Sequence, residues 1–179
     1  MEHSGVRDYA DSGLDIQYAM IDHAVRFPDK NLRPQFILWH GRRIRTSDVW
    51  TTPESGIVRA EFLACKTDVH QGFDIKIDGW LELADGERVS LLRTWKDERF
   101  EDAVAYHFCS PNRRLWIWNV YKMTYPGGQE VQEKWTANAG FWVDQVGESE
   151  RVYHCSHGMA APPDFEALVF KVSVQELTP

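Results

Sequence analysis

Glu133 is the residue in this chain best placed for acid–base chemistry, because the alternation around it predicts a carboxylate on an apolar strand face. Burial penalises the ionised form of a carboxyl group and raises its pKa, so an acid set beside valines is poised to exchange protons near neutral pH. His154 is the second candidate catalytic residue. Val152, His154 and Ser156 alternate as one stripe, and the valine predicts that the imidazole faces inward. Arg93 interrupts the stripe Val89, Leu91, Trp95, and its planar fork of donors can anchor a carboxylate or phosphate. A two-residue Asp85-Gly86 loop would set Arg93 opposite Asp78, whereas a three-residue loop would set it opposite Ile77 and leave the guanidinium free. Lys122 ends the stripe Trp116, Trp118, Val120, where it can hold an anionic group or pair with Glu133.

These groups need a site, and residues 103–138 predict one. Turn clusters at Ser110-Pro111-Asn112 and Pro126-Gly127-Gly128 divide that stretch into three alternating segments, read as a meander of two hairpins. The side-chain period of two then fixes which residues share a face. One face reads Phe108–Trp116–Ala137, Tyr106–Trp118–Trp135 and Val104–Val120–Glu133. It is the bulkier and greasier of the two and is expected to point inward. Tyr106, Trp116, Trp118 and Trp135, with Trp95, would then line a ligand pocket.

The histidines and cysteines do not assemble a metal site in this reading. Tyr106-His107-Phe108-Cys109 loosely resembles Tyr153-His154-Cys155, with His157 nearby, but the spacings match no zinc signature. Adjacent strand residues point apart, which separates Cys155 from its flanking histidines. The chain carries no Gly-x-Ser-x-Gly elbow, phosphate loop, dinucleotide fingerprint or zincin helix, so no metal and no cofactor is expected.

The remaining sequence supplies the frame. Leu14, Tyr18, Ile21 and Val25 recur at helical spacing, Ser12 can cap the start with Asp15 three residues on, and Pro28 ends the segment, predicting a helix over 13–27. Thereafter the period is two. Strands are expected at 35–40, 43–51, 57–66, 73–83, 87–95, 103–109, 115–124, 129–137, 141–146, 151–157 and 167–175, separated by Pro-, Gly- and Asp-containing turns. The fold class is therefore mainly β, an antiparallel β-barrel or β-sandwich of about ten strands with a short N-terminal helix. One domain over 1–179 is expected, with residues 1–12 a flexible N-terminus and residues 35–175 the barrel or sandwich.

Composition excludes some roles. With 27 acidic and 20 basic residues the net charge is −7, which repels a nucleic-acid backbone, and the group Arg42, Arg43, Arg45 is too small to reverse it. Cys65, Cys109 and Cys155 are too far apart in sequence for a disulfide framework, favouring a reducing compartment. The polar start MEHSGVRDYADSG lacks the apolar core of a signal peptide, and no run is long enough to span a membrane. A cytoplasmic protein acting on a small organic molecule is expected, with no nucleic-acid or membrane partner; a homodimer is compatible with this reading.

Two functions follow. In the first, a cofactor-independent isomerase, cyclase or lyase holds a largely apolar substrate in the aromatic pocket, with Glu133 or His154 moving a proton and Arg93 or Lys122 holding an anionic part. In the second, a non-catalytic module uses exposed Trp and Tyr faces to stack on sugars or dock a protein, its acidic charge suiting a basic partner. The position of the tryptophan rings separates the two.

Overall fold

The computed structural model describes residues 5–98 and 101–177. Helix α1 (Ile16–Arg26) precedes β1 (Ile37–Trp39), β2 (Arg42–Ile44), β3 (Asp48–Thr51), β4 (Ser55–Cys65), β5 (Gln71–Glu82) and β6 (Arg88–Trp95). After a short 3-10 turn follow β7 (Ala103–Cys109), β8 (Arg114–Thr124), β9 (Glu130–Glu133), β10 (Gly140–Gln145), β11 (Glu150–Ser156) and β12 (Leu168–Glu176). The chain is mainly β, as its alternation predicts. A curled half-barrel runs β10-β11-β12-β4-β7-β5-β8-β3, with β6 paired to β5 and β9 to β8, while β1 and β2 form a separate hairpin. Arg45 and Phe141 exchange backbone hydrogen bonds of 2.8 and 2.9 Å, drawing the segment before β3 onto the edge strand β10.

The turn at Ser110-Pro111-Asn112 does not make a hairpin. Its Ser110 carbonyl accepts from Arg113 N–H at 2.9 Å, and the Ser110 hydroxyl accepts from Arg114 N–H at 3.0 Å. The loop thus closes on itself without reversing the chain. β7 and β8 continue one another along β5, which pairs with His107–Cys109 through Trp80–Glu82 and with Leu115–Tyr121 through Gln71–Ile77. Gly79 sits at the junction, where a Cβ would lie 2.0 Å from the Cys109 carbonyl oxygen, so only glycine permits this approach.

That junction corrects the expected registers. Tyr106 pairs with Val58 of β4 and not with Trp118. The β8–β9 pairing is shifted by one residue, with Tyr121 opposite Glu133, so Glu133 lies across from Tyr121 and not beside Val120. The β5–β6 register also shifts between Lys76 and Leu81, which sets Arg93 opposite Asp74, neither Asp78 nor Ile77. A turn signal fixes register only as far as the next irregularity in the ladder.

On β8 the inward face is also the reverse of the expected one. Leu115 and Ile117 of β8, Phe73, Ile75 and Ile77 of β5, and Val58 and Ala60 of β4 fill the interior, so Trp116, Trp118 and Val120 point outward. Phe170 stacks between Phe73 and Tyr153, with centroids 4.6 and 4.9 Å apart, and Phe62 packs on Phe73 at 5.1 Å. The space enclosed by the curl is a packed core. Tyr106 and Phe108 face into it as well.

Helix α1 inverts its expected stripe in the same way. Ile16, Ala19 and His23 are buried, whereas Tyr18, Ile21 and Val25 are 60, 52 and 75% exposed. The helix begins at Ile16, with Asp15 as its cap accepting from Tyr18 N–H at 2.8 Å; Ser12 lies outside it. Of the expected N-terminal tail, residues 1–4 lie outside the described residues, and residues 8–12 are held by the fold. Tyr9 is fully buried against Ile16, Ile37 and Trp39, donates to Asp22 at 2.6 Å, and its N–H bonds the Leu38 carbonyl. No helix among the described residues is long and apolar enough to cross a membrane.

Candidate functional site

The outward face of β3, β8, β5 and β6 can be read in rows from the strand pairing. One row is Val49–Trp116–Lys76–Leu91, the next Trp118–Asp74–Arg93, the next Val120–Gly72–Trp95. Gly72 admits the close packing of the last row, since a Cβ there would fall 2.1 Å from the Thr94 carbonyl oxygen. The middle row is a buried polar cluster. Asp74, with no exposed surface, accepts from Arg93 through both oxygens at 2.7 Å and from Trp118 Nε1 at 2.8 Å. Hydrogen bonding to Asp74 raises the Arg93 pKa above its usual value, and the remaining Arg93 amino group donates to Gln132 at 2.7 Å. Arg93 is thus committed to the fold rather than free for a ligand.

Six of the expected ligand residues, Trp116, Trp118, Trp135, Arg93, Trp95 and Lys122, lie on this face. Trp135 packs edge-on against Trp118 at 5.4 Å, Arg93 lies over Trp95 at 5.8 Å, and Lys122 lies over Trp95 at 4.8 Å while pairing with Glu98 and Glu130. The Trp118–Trp135 contact is the one expected from the sequence, reached by another route. Trp135 has a φ of 60° and Ala137 one of 47°, a conformation that costs a non-glycine residue of order 1–2 kcal/mol. This local strain holds a 42% exposed indole against the sheet, with Lys134 Nζ 4.5 Å from its ring centre.

The other expected residues lie elsewhere. Tyr106 faces the interior and lines the largest surface cleft, of about 670 Å³, with Glu82, Glu98 and Glu101. Glu133 is half-buried beside Tyr121, and Lys122 is not its partner. His154 points outward, because its neighbours Tyr153 and Cys155 take the interior; its ring stacks on Trp142 at 3.8 Å and Nδ1 meets Glu166 at 3.1 Å. No hydrogen bond or ion pair joins Glu133 to His154. Among the described residues no group of three or more His, Cys, Asp or Glu is arranged to hold a metal.

No protein-family model, curated protein or solved structure matches the chain. The site is therefore read from its geometry alone.

Sequence reasoning missed three buried charged or titratable groups. Besides Asp74 these are Asp48, which accepts from Arg45, Arg151 and Tyr153, and His157. Asp48 shares the inward face of β3 with Trp50, whereas Asp74 lies on the face of β5 opposite Phe73 and Ile75, and alternation does not show what covers either carboxylate. Burial pushes the Tyr153 hydroxyl well above the usual tyrosine pKa, and the adjacent Asp48 carboxylate adds to the shift.

His157 carries a pH prediction. Burial lowers its pKa below the ordinary 6.5, and its Nδ1 accepts from Met159 N–H at 3.2 Å, a bond that requires an unprotonated nitrogen. The unfolded state binds the proton more readily, so stability present above about 6.5 is lost as pH falls toward the depressed folded value. Urea midpoints measured at pH 7.5 and 5.5 should fall with acid, and His157→Gln should reduce that fall; an unaltered pH dependence in the variant would refute this role.

Proposed function

We propose that the chain is a binding module that docks an acidic, partly apolar protein segment on the outer face of β3, β8, β5 and β6. The row Val49–Trp116–Lys76–Leu91 carries this reading, with Leu91 45% and Val49 47% exposed on either side of a half-buried indole. Trp135, packed on Trp118 of the next row, adds a further exposed ring, and exposed apolar groups gathered on one face mark an interaction surface. Lys76 and Lys134 lie over Trp116 and over Trp118 and Trp135, and neither has a carboxylate partner among the described residues. Although the chain is acidic overall, this face is locally basic, so the complementary partner is acidic and not basic.

An acid–base enzyme has less support. It needs an enclosed pocket shared by Glu133 or His154, while the interior is filled by the Phe73–Phe170–Tyr153 stack and the largest clefts are lined by neither residue.

Titration with a synthetic amphipathic strand peptide, Glu alternating with Leu and Trp, tests the proposal. Binding should weaken about tenfold when Gln replaces Glu in the peptide, and likewise in Lys76→Glu and Trp135→Ala proteins. Equal binding of both peptides, or none, would reject the acidic-partner reading.

A further inference from the structure

A second group of cations lies at the β3 edge of this face, in the mouth of the half-barrel, and Val49 borders both. Asp48 of β3, Val143 and Gln145 of β10 and Arg151 of β11 come together there, where the β10–β11 hairpin approaches β3. The floor is a continuous polar chain. Trp50 Nε1 donates to the Tyr153 hydroxyl, which donates to Asp48 Oδ2 at 2.8 Å. Arg45 Nη1 donates to Asp48 Oδ1 at 2.6 Å and Arg151 Nη1 to Oδ2 at 2.7 Å. Above this floor is a cavity of about 270 Å³ lined by Arg43, Arg45, Arg151, Gln145, Val49 and Val143.

One carboxylate is bonded by two guanidinium groups here, an excess of one positive charge in a chain of net charge −7. The two arginines on Asp48 are held in place by it, and Arg151 is further fixed by its stacking over Trp50 at 4.4 Å. Among the described residues, the Nε and Nη2 groups of Arg45 and Arg151 donate to no protein acceptor. Immobilised guanidinium groups with unused N–H donors have already lost the side-chain entropy that ligand binding would otherwise cost. Their planar forks match the oxygens of a carboxylate or phosphate.

We infer that this mouth is a binding site for a small oxyanion, a phosphate or carboxylate group on a molecule of few heavy atoms. Arg45 and Arg151 supply charge-assisted hydrogen bonds, and Gln145 contributes an amide. The cavity is smaller than common drug-sized pockets, which begin at about 300 Å³, so a bulky nucleotide does not fit it. The site shares Val49 but no cation with the aromatic face, and small anions test it separately from the acidic peptide.

Calorimetric titration of the whole chain in low-salt, phosphate-free buffer tests it, with inorganic phosphate in one arm and sodium acetate in the other, and sodium chloride as the control. Saturable one-to-one binding of either oxyanion is expected, the responding arm identifying the preferred group. Gln145→Glu, at an exposed position outside the Asp48 network, should weaken binding about tenfold or more by placing a negative charge in the cavity. Arg151→Gln should do the same, with its folding checked by circular dichroism because Asp48 loses a partner. Absence of saturable binding to both anions, or binding unchanged in Gln145→Glu, would overturn the inference.

Discussion

Phe170→Ala is expected to destabilise the protein by about 4 kcal/mol, the largest effect of any single substitution considered for this chain. The ring is fully buried on β12 and stacks on Phe73 from β5 and Tyr153 from β11, so it joins opposite walls of the half-barrel. Removing it forfeits the transfer energy of the side chain and leaves a cavity that rigid neighbouring rings cannot close. For a chain of this length the thermal midpoint should fall by roughly 8–16 °C, measurable by calorimetry. The variant should also bind benzene or xenon where the native protein does not, because a cavity lined by apolar groups stays dry and accepts apolar guests. A loss below about 1 kcal/mol, or benzene binding by the native protein, would show that the interior is not the filled core described.

Asp74→Ala should cost about 3 kcal/mol. The carboxylate is wholly buried and is the acceptor for both Arg93 and the Trp118 indole N–H, so its removal strands a partly buried guanidinium and a buried donor. Breaking such a pair from one side costs about 3–5 kcal/mol when both ions are deeply buried, and the partial exposure of Arg93 places this case at the low end. Replacing Asp74 and Arg93 together by apolar residues should recover part of the loss, since no guanidinium is then stranded and only the Trp118 N–H lacks its acceptor. Chemical denaturation of the two single variants and the double variant measures the coupling. Additive losses would mean that the ion pair contributes nothing specific beneath the aromatic face.

The strands were legible because alternation and Pro-, Gly- and Asp-containing turns mark where extended segments begin and end. Their partners were less so. Ser110-Pro111-Asn112 has the composition of a hairpin turn, yet it is looped out of a continuous strand, and no local signal distinguishes the two when a distant segment such as β5 supplies the pairing. Which face turned inward was also hidden, because β8 is apolar on both sides: Leu115 and Ile117 pack in the core, while Trp118 is covered by Trp135 and Lys134. On α1 the wider apolar stripe through Tyr18, Ile21 and Val25 is exposed, and the buried face uses the small Ala19 and the half-polar His23, which hydrophobicity alone ranks lower. The basic group Arg42, Arg43, Arg45 was visible as a cluster, but its completion by Arg151 depends on the closure of β10 against the segment before β3. Trp118 and Trp135 met as expected because large rings reach past a one-residue error in register.

The central claim is that this molecule binds on the outside of its sheet and keeps a closed interior. Nitrogen-15 spectra of the eight tryptophan indoles, recorded during titration with the acidic strand peptide, test it most directly. The signals of Trp116 and Trp135 should move with peptide concentration while Trp50, whose Nε1 is bonded to Tyr153 inside the fold, stays fixed. A moving Trp50 with stationary Trp116 and Trp135 would contradict the account and return the ligand to the interior.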